Sequence, residues 1–210
     1  MSGFFIRNTI KWTGTAGFFL DDKPSFYVDP YKLAFPTIGD AILLTHDHPL
    51  HCDPNEVKWL RKGSTIIVCP ETCASKFIGD IRIAKPGDVL NIKGANIKVM
   101  PAYTPSGKHE KQAGGVGYII TMSDGLRVYH TGDTSLIPEM AEGIADVVLV
   151  PIGGEGNMDA AQAAEVIKVI KPKMAVPMHY EPNKEGKAEA ERFKALCGSS
   201  ATVEILKVTK

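Results

Sequence analysis

Short apolar runs recur along the chain, each stopped by a proline, a glycine or a charged cluster. Ile10-Lys11-Trp12, Phe18-Phe19-Leu20 and Ser25-Phe26-Tyr27-Val28 are separated by Gly14 and by a turn at Asp21-Asp22-Lys23-Pro24, which predicts a β-meander over residues 9–29. Asp29-Pro30 ends its third strand and opens an irregular loop to Gly39. Ala41-Ile42-Leu43-Leu44 then predicts a buried strand over 41–45. A short helix over 55–60 follows, with Pro54 near its start and Gly63 just past its end. Strands are predicted at 65–68, 81–83, 89–92 and 97–100, with another short helix over 71–77.

The second half keeps this rhythm with longer helices. Residues 117–121 and 126–129 flank Ser123-Asp124-Gly125, a hairpin signal. Val147-Val148-Leu149-Val150 reads as a buried strand. A helix opens at Asp159, whose carboxylate can cap free amides, and its Ala160, Ala163, Ala164 and Ile167 share one face. Lys171-Pro172 stops it, and a strand at 174–177, a helix at 187–196 and a closing strand at 202–208 complete the pattern. Strands followed by helices in both halves point to an α/β protein with two sheets packed together and helices outside.

Composition narrows the class. At 210 residues, with 44% hydrophobic and 23% charged, the chain predicts one globular domain over 1–210. Twenty-four basic residues balance 24 acidic ones, so bulk charge indicates neither nucleic acid nor an anionic membrane as partner. No run reaches the length of a membrane span and the N-terminus lacks a signal pattern, so the expectation is a cytoplasmic protein. The four cysteines form no CxxC pair and read as reduced thiols; Cys69 and Cys73 could pair or bind metal, but the preferred reading puts one at the close of a strand and the other in a helix core.

The chemistry gathers at Thr45-His46-Asp47-His48-Pro49-Leu50-His51-Cys52-Asp53-Pro54, which holds half of the six histidines. In extended backbone, His46 and His48 project to the same side and can address one ion. His51 joins them if the chain bends around Pro49. Imidazoles suit zinc, iron, nickel or copper. His109, His130 and His179 each fall at or near a strand's carboxyl end, where sheet proteins place ligand sites, and Asp133 follows a strand and a glycine.

Taken together, the order HxHxxH, a lone histidine, Gly132-Asp133-Thr134 and a late histidine resembles the metallo-β-lactamase superfamily. Tyr129-His130-Thr131-Gly132-Asp133-Thr134, Pro151-Ile152-Gly153-Gly154, Met158-Asp159-Ala160 and Pro177-Met178-His179-Tyr180 resemble its small prokaryotic metal-dependent hydrolases, similar to ascorbate-6-phosphate lactonase. That resemblance implies a four-layer αββα sandwich of two mixed sheets. It implies one ion on His46, His48 and His109, and a second on His51, Asp133 and His179, with Asp133 bridging. It also implies hydrolysis of a small ester, lactone or phosphodiester by a metal-bound hydroxide, with zinc as the expected divalent ion and manganese, iron or nickel as alternatives. The partner is then a small-molecule substrate, and relatives of this kind often form homo-oligomers. His130 is a candidate proton-relay or supporting group beside Asp133, Asp29 a candidate acceptor for a ligand imidazole, and Tyr103, Lys108 and Tyr180 candidate pocket residues.

Two positions depart from the family pattern. HxHxDH is usual, and Leu50 stands at the aspartate, removing a donor and a negative charge and predicting weaker occupancy of the second ion's site. Asp53 could substitute only if the loop bends, while Asp47 should face away. Thr15 stands where the branch often has a histidine after Gly14. The alternative is therefore a non-catalytic metal-binding or ligand-binding protein of the same fold, with a degenerate second site.

Overall fold

The computed structural model describes residues 8–34, 36–105, 109–154 and 156–209. Lys108 lies outside the described residues. The first sheet begins with an antiparallel meander, β1 (Ile10–Gly14), β2 (Gly17–Leu20) and β3 (Phe26–Val28), and continues with β4 (Ala41–Leu43), β5 (Ile66–Cys69) and β6 (Asp80–Ile83) in parallel. Its spatial order is the chain order. Helix α1 (Pro54–Trp59) joins β4 to β5, and the single turn α2 (Glu71–Ala74) joins β5 to β6.

The second sheet takes β7 (Val89–Ile92), β8 (Ala95–Pro101), β9 (Val116–Thr121) and β10 (Arg127–His130) antiparallel, then β11 (Val147–Pro151), β12 (Met174–Met178) and β13 (Thr202–Val203) in parallel. Helices α3 (Ala160–Ile170) and α4 (Lys184–Cys197) provide the crossovers on its outer side.

Strand alternation makes the layers. Phe18, Val28, Leu43 and Val68 belong to the large core shared with the second sheet, including Tyr118, Val128 and Leu149. Their neighbours Phe19, Tyr27, Ile42 and Ile67 point the other way, into a second core with Val57 of α1, Leu60 just past its end and Cys73 of α2. On the far side, α3 buries Ala160, Ala163, Ala164, Val166 and Ile167, and α4 buries Ala190, Phe193 and Cys197. The result is the four-layer αββα arrangement of two mixed sheets with helices outside.

Three elements differ from the sequence expectation. The closing strand covers only Thr202–Val203. After Glu204 N–H donates to the Ala175 carbonyl, the chain crosses to the first sheet, where Thr209 N–H reaches the Trp12 carbonyl at 2.7 Å. The helix expected over 187–196 begins at Lys184, because Asn183 accepts the Gly186 N–H at 2.8 Å and caps it. The helix expected over 71–77 shortens to Glu71–Ala74, since Lys76 and Phe77 bond three residues back, to Cys73 and Ala74. All four cysteines are buried free thiols. Among the described residues, no helix is long and apolar enough to cross a membrane.

Candidate metal centre

The ligand-rich loop is anchored at both ends. At its start Leu44 N–H bonds the Val68 carbonyl, and at its end Asp53 caps α1 by accepting from Asn55 N–H at 2.8 Å. Between them, the His51 and Cys52 N–H groups both return to the His48 carbonyl, at 3.0 and 2.9 Å. That tight turn is the bend His51 needs to rejoin His46. Asp133 arrives from the second sheet, after β10 and a turn at Gly132 with φ of 67°. A side chain on Gly132 would meet the Val116 carbonyl oxygen at 2.7 Å, so this approach of the sheets requires glycine. His179 follows β12 in a left-handed conformation (φ 56°), held by its N–H to the Thr15 carbonyl at 2.7 Å.

These elements converge on one carboxylate oxygen. Asp133 Oδ2 lies 3.1 Å from His179 Nε2, 3.4 Å from His51 Nε2, 3.5 Å from His109 Nε2 and 3.8 Å from His46 Nε2. Three donor groups have metal-like spacing: His46, His48 and His109, with His48 on the open side; His51, Asp133 and His179; and Asp29, His46 and His51, in which Asp29 is already occupied by hydrogen bonds from Thr45 and His51. A tetrahedral ion held at about 2.0–2.1 Å has donor–donor edges of about 3.3–3.4 Å. The separations in the second group are close to this, with His51 Nε2 to His179 Nε2 at 3.3 Å. His46 Nε2 and Asp133 Oδ1 are buried and have no hydrogen-bond partner among the described residues. A cation answers both deficits, so the residues fit a divalent metal site.

Asp29, fully buried under the loop, determines which nitrogens face inward. Its Oδ1 accepts the Thr45 N–H at 2.8 Å, and its Oδ2 accepts the Thr45 hydroxyl at 2.6 Å and His51 Nδ1–H at 2.7 Å. The hydroxyl has one hydrogen, given to a carboxylate that can only accept. Its oxygen therefore accepts from His46 Nδ1–H, 2.9 Å away. Both imidazoles then carry their hydrogen on Nδ1 towards Asp29 and direct Nε2 to the centre. Thr45, which sequence reasoning did not single out, links Asp29 to His46.

The electrostatics follow the same arrangement. Burial disfavours charge on His51, but Asp133 and Asp29 outweigh it and raise its pKa to about 10. Burial and the His51 charge push His46 down to about 3. Burial also lowers His109 and His130. Against burial, the His51 charge keeps both Asp29 and Asp133 ionised. A cation replacing the His51 Nε2 proton would satisfy the same two carboxylates.

The remaining candidates have other surroundings. His130 is completely buried, with Nε2 2.8 Å from the Ala16 carbonyl and Nδ1 accepting the Gly132 N–H at 3.2 Å, so both ring nitrogens are engaged by backbone. Asp53 is a helix cap, and the Asp47 carbonyl accepts from Lys76. Leu50 is 41% exposed on the wall of a cavity shared with Thr15, His179 and Tyr180. The Tyr103 hydroxyl is engaged by Glu139 at 3.0 Å.

Comparison with known proteins agrees with this architecture. Residues 9–179 match the Beta-lactamase superfamily domain. The chain is 34% identical over 212 residues to a UPF0173 metal-dependent hydrolase of Thermoplasma acidophilum, covering 94% of each, and 30% identical to one of Pyrococcus abyssi, covering 94% of this chain and 96% of the relative. A crystal structure of a putative metal-dependent hydrolase from Parabacteroides distasonis superposes with a TM-score of 0.80 at 30% identity, covering 95% of this chain and 93% of that one. Igni18, a metallo hydrolase from Ignicoccus hospitalis, superposes with a TM-score of 0.79 at 25% identity, covering 96% and 95%. On this fold, this cluster and these relatives, the chain belongs to the beta-lactamase superfamily, within its UPF0173 metal-dependent hydrolases.

Proposed function

We propose that the protein hydrolyses a small ester, lactone or phosphodiester, with His46, His48 and His109 holding one divalent ion and His51, Asp133 and His179 a second. The carrying observation is the convergence of four imidazole Nε2 atoms on Asp133 Oδ2. A bound divalent ion lowers the pKa of water from about 15.7 towards about 7 and polarises a substrate oxygen. Zinc suits this donor set; manganese, iron and nickel are tested beside it.

The chain's own residues supply the rest. Asp29 and Thr45 hold His46 and His51 in the tautomers that direct Nε2 inward. Asp133, kept ionised although buried, supplies the negative charge on which the ring nitrogens converge. His130 acts through Gly132, whose N–H it accepts, and so positions Asp133 rather than relaying a proton itself. The reading extends to a cytoplasmic homo-oligomer, whose assembly sedimentation velocity tests. Replacing His46 and His48 together by alanine removes two ligands of one ion; metal content and turnover on an ester, lactone and phosphodiester panel should both collapse. Undiminished hydrolysis in that double variant overturns the assignment.

Leu50 favours a second reading, a metal- or ligand-binding protein without turnover, because its exposed side chain offers no donor beside His179. Leu50→Asp discriminates. Good wild-type turnover that the substitution does not improve excludes the degenerate-site reading, whereas activity only in Leu50→Asp supports it.

A further inference from the structure

The turn between β1 and β2 supplies no metal donor, yet two successive carbonyls of it serve the centre. The Thr15 carbonyl accepts the His179 N–H at 2.7 Å. The Ala16 carbonyl lies 2.8 Å from His130 Nε2, and the other ring nitrogen of His130 accepts the Gly132 N–H next to Asp133. The turn's backbone is strained. Thr15 has a φ of 51°, which a β-branched residue rarely adopts, and the β1 register shifts between Trp12 and Gly14 just before it. His179, with φ of 56°, is left-handed as well, so one hydrogen bond joins two residues in a disfavoured conformation. Such conformations persist where the surroundings over-determine them, and they gather at functional sites.

Trp12, fully buried, supports both sides of that bond. Its Nε1–H donates to the same Thr15 carbonyl at 2.9 Å, so the oxygen uses one lone pair for the indole and one for the His179 backbone. Its ring lies against Tyr180, the residue after His179, with centroids 4.9 Å apart and planes tilted by 30°. His179 depends on such backbone support more than its neighbours do. The rings of His46 and His51 are oriented through Nδ1 by Thr45 and Asp29, whereas His179 has no Nδ1 partner among the described residues. Its side chain is also 21% exposed, against 2% for His51 and 4% for Asp133. Even so, its Nε2 stands 3.1 Å from Asp133 Oδ2 and 3.3 Å from His51 Nε2.

We propose that Trp12 is a positioning residue of the centre: by holding the Thr15 carbonyl and the Tyr180 ring, it sets the backbone from which His179 reaches Asp133. This rests on the metal-site reading above and adds a residue that touches neither ion nor substrate.

The test uses the full chain, stripped of metal and titrated with zinc against a chromophoric chelator. Trp12→Phe keeps an aromatic ring beside Tyr180 and removes the N–H donor. Benzothienylalanine incorporated in place of Trp12 removes the same donor with the ring's shape retained, and replaces the Phe variant if that one does not fold. A partner supporting a ligand is typically worth 10–100-fold in metal affinity, so a group acting through a carbonyl should cost about tenfold. In a His179→Ala background the same substitution should change zinc affinity by less than about twofold, because the ring it positions is gone. In the metal-free protein, hydrogen exchange at the His179 amide should speed up about tenfold while that at Leu44, bonded to Val68, stays unchanged. Equal zinc affinity or equal His179 exchange in wild type and variant overturns the inference. So does a loss of affinity that persists undiminished in the His179→Ala background, which marks Trp12 as general support of the fold. Weakened zinc binding and faster His179 exchange, in a protein whose wild type hydrolyses no ester, lactone or phosphodiester, support the positioning role and overturn the hydrolase reading instead.

Discussion

Replacing Asp29 by asparagine keeps the side chain's shape and changes one acceptor oxygen into a donor. If the remaining oxygen keeps the Thr45 N–H, the new NH₂ faces the Thr45 hydroxyl and His51 Nδ1, both of which donate to Asp29 in the wild type. His51 must then accept on Nδ1 and carry its hydrogen on Nε2, towards Asp133. The Thr45 hydroxyl must also accept, which turns its own hydrogen towards His46 Nδ1 and moves that ring's hydrogen to Nε2. One substitution thus blocks two inward lone pairs. Loss of one supporting partner typically weakens metal affinity 10–100-fold, about 1.4–2.7 kcal/mol. With two ligand rings affected, the expected loss lies at the upper end, about 100-fold. Competition with a chromophoric chelator for zinc measures it, and nitrogen chemical shifts of His46 and His51 report the tautomers. A folded Asp29→Asn protein that binds zinc within about twofold of wild type would refute the tautomer argument.

Other consequences can be checked separately. In Gly153→Ala the new methyl collides with the His179 carbonyl oxygen, which should cost about 1–3 kcal/mol in a thermal melt and loosen zinc retention. Against burial, which opposes ionisation, Arg127 and Lys173 hold the Asp146 carboxyl down at about 2, below its ordinary 3.8. A depressed carboxylate stabilises fully above its unfolded pKa and loses that contribution as pH falls through the folded one, so the window is about pH 4 down to about 2. Because both cations are well exposed, screening reduces the contribution to about 1 kcal/mol, and Asp146→Asn should remove it at pH 7 but matter little near pH 2 in urea unfolding. Asp159→Ala removes the acceptor of the Ala161 and Gln162 N–H groups and should destabilise the protein by about 0.5–2 kcal/mol, read by chemical unfolding.

The layers were legible because alternation in the strands is local: Phe18 and Phe19, or Leu43 and Ile42, must face opposite sides whatever the partners are. The end of the chain was not. Residues 202–208 have strand composition, but where their hydrogen bonds go depends on β1, far away in sequence. At the centre, histidine spacing and the Gly-Asp turn pointed to the converging residues, and Asp29 was marked by its place after a strand. Thr45 gave no signal, because a threonine at a strand end is ordinary. Its role appears only when Asp29 and His46 are both within reach. His130 was legible as a neighbour of Asp133, yet its two backbone bonds, which involve Ala16 and Gly132, were not.

The most direct test is metal content per chain after the protein is stripped with chelator, reloaded with zinc and dialysed, for the wild type and Asp133→Ala in parallel. The account predicts about one to two retained equivalents in the wild type and a marked loss in a folded Asp133→Ala protein, since Asp133 Oδ2 is the atom on which the imidazoles converge. A wild-type chain that retains no zinc, or an Asp133→Ala chain that retains as much, contradicts it.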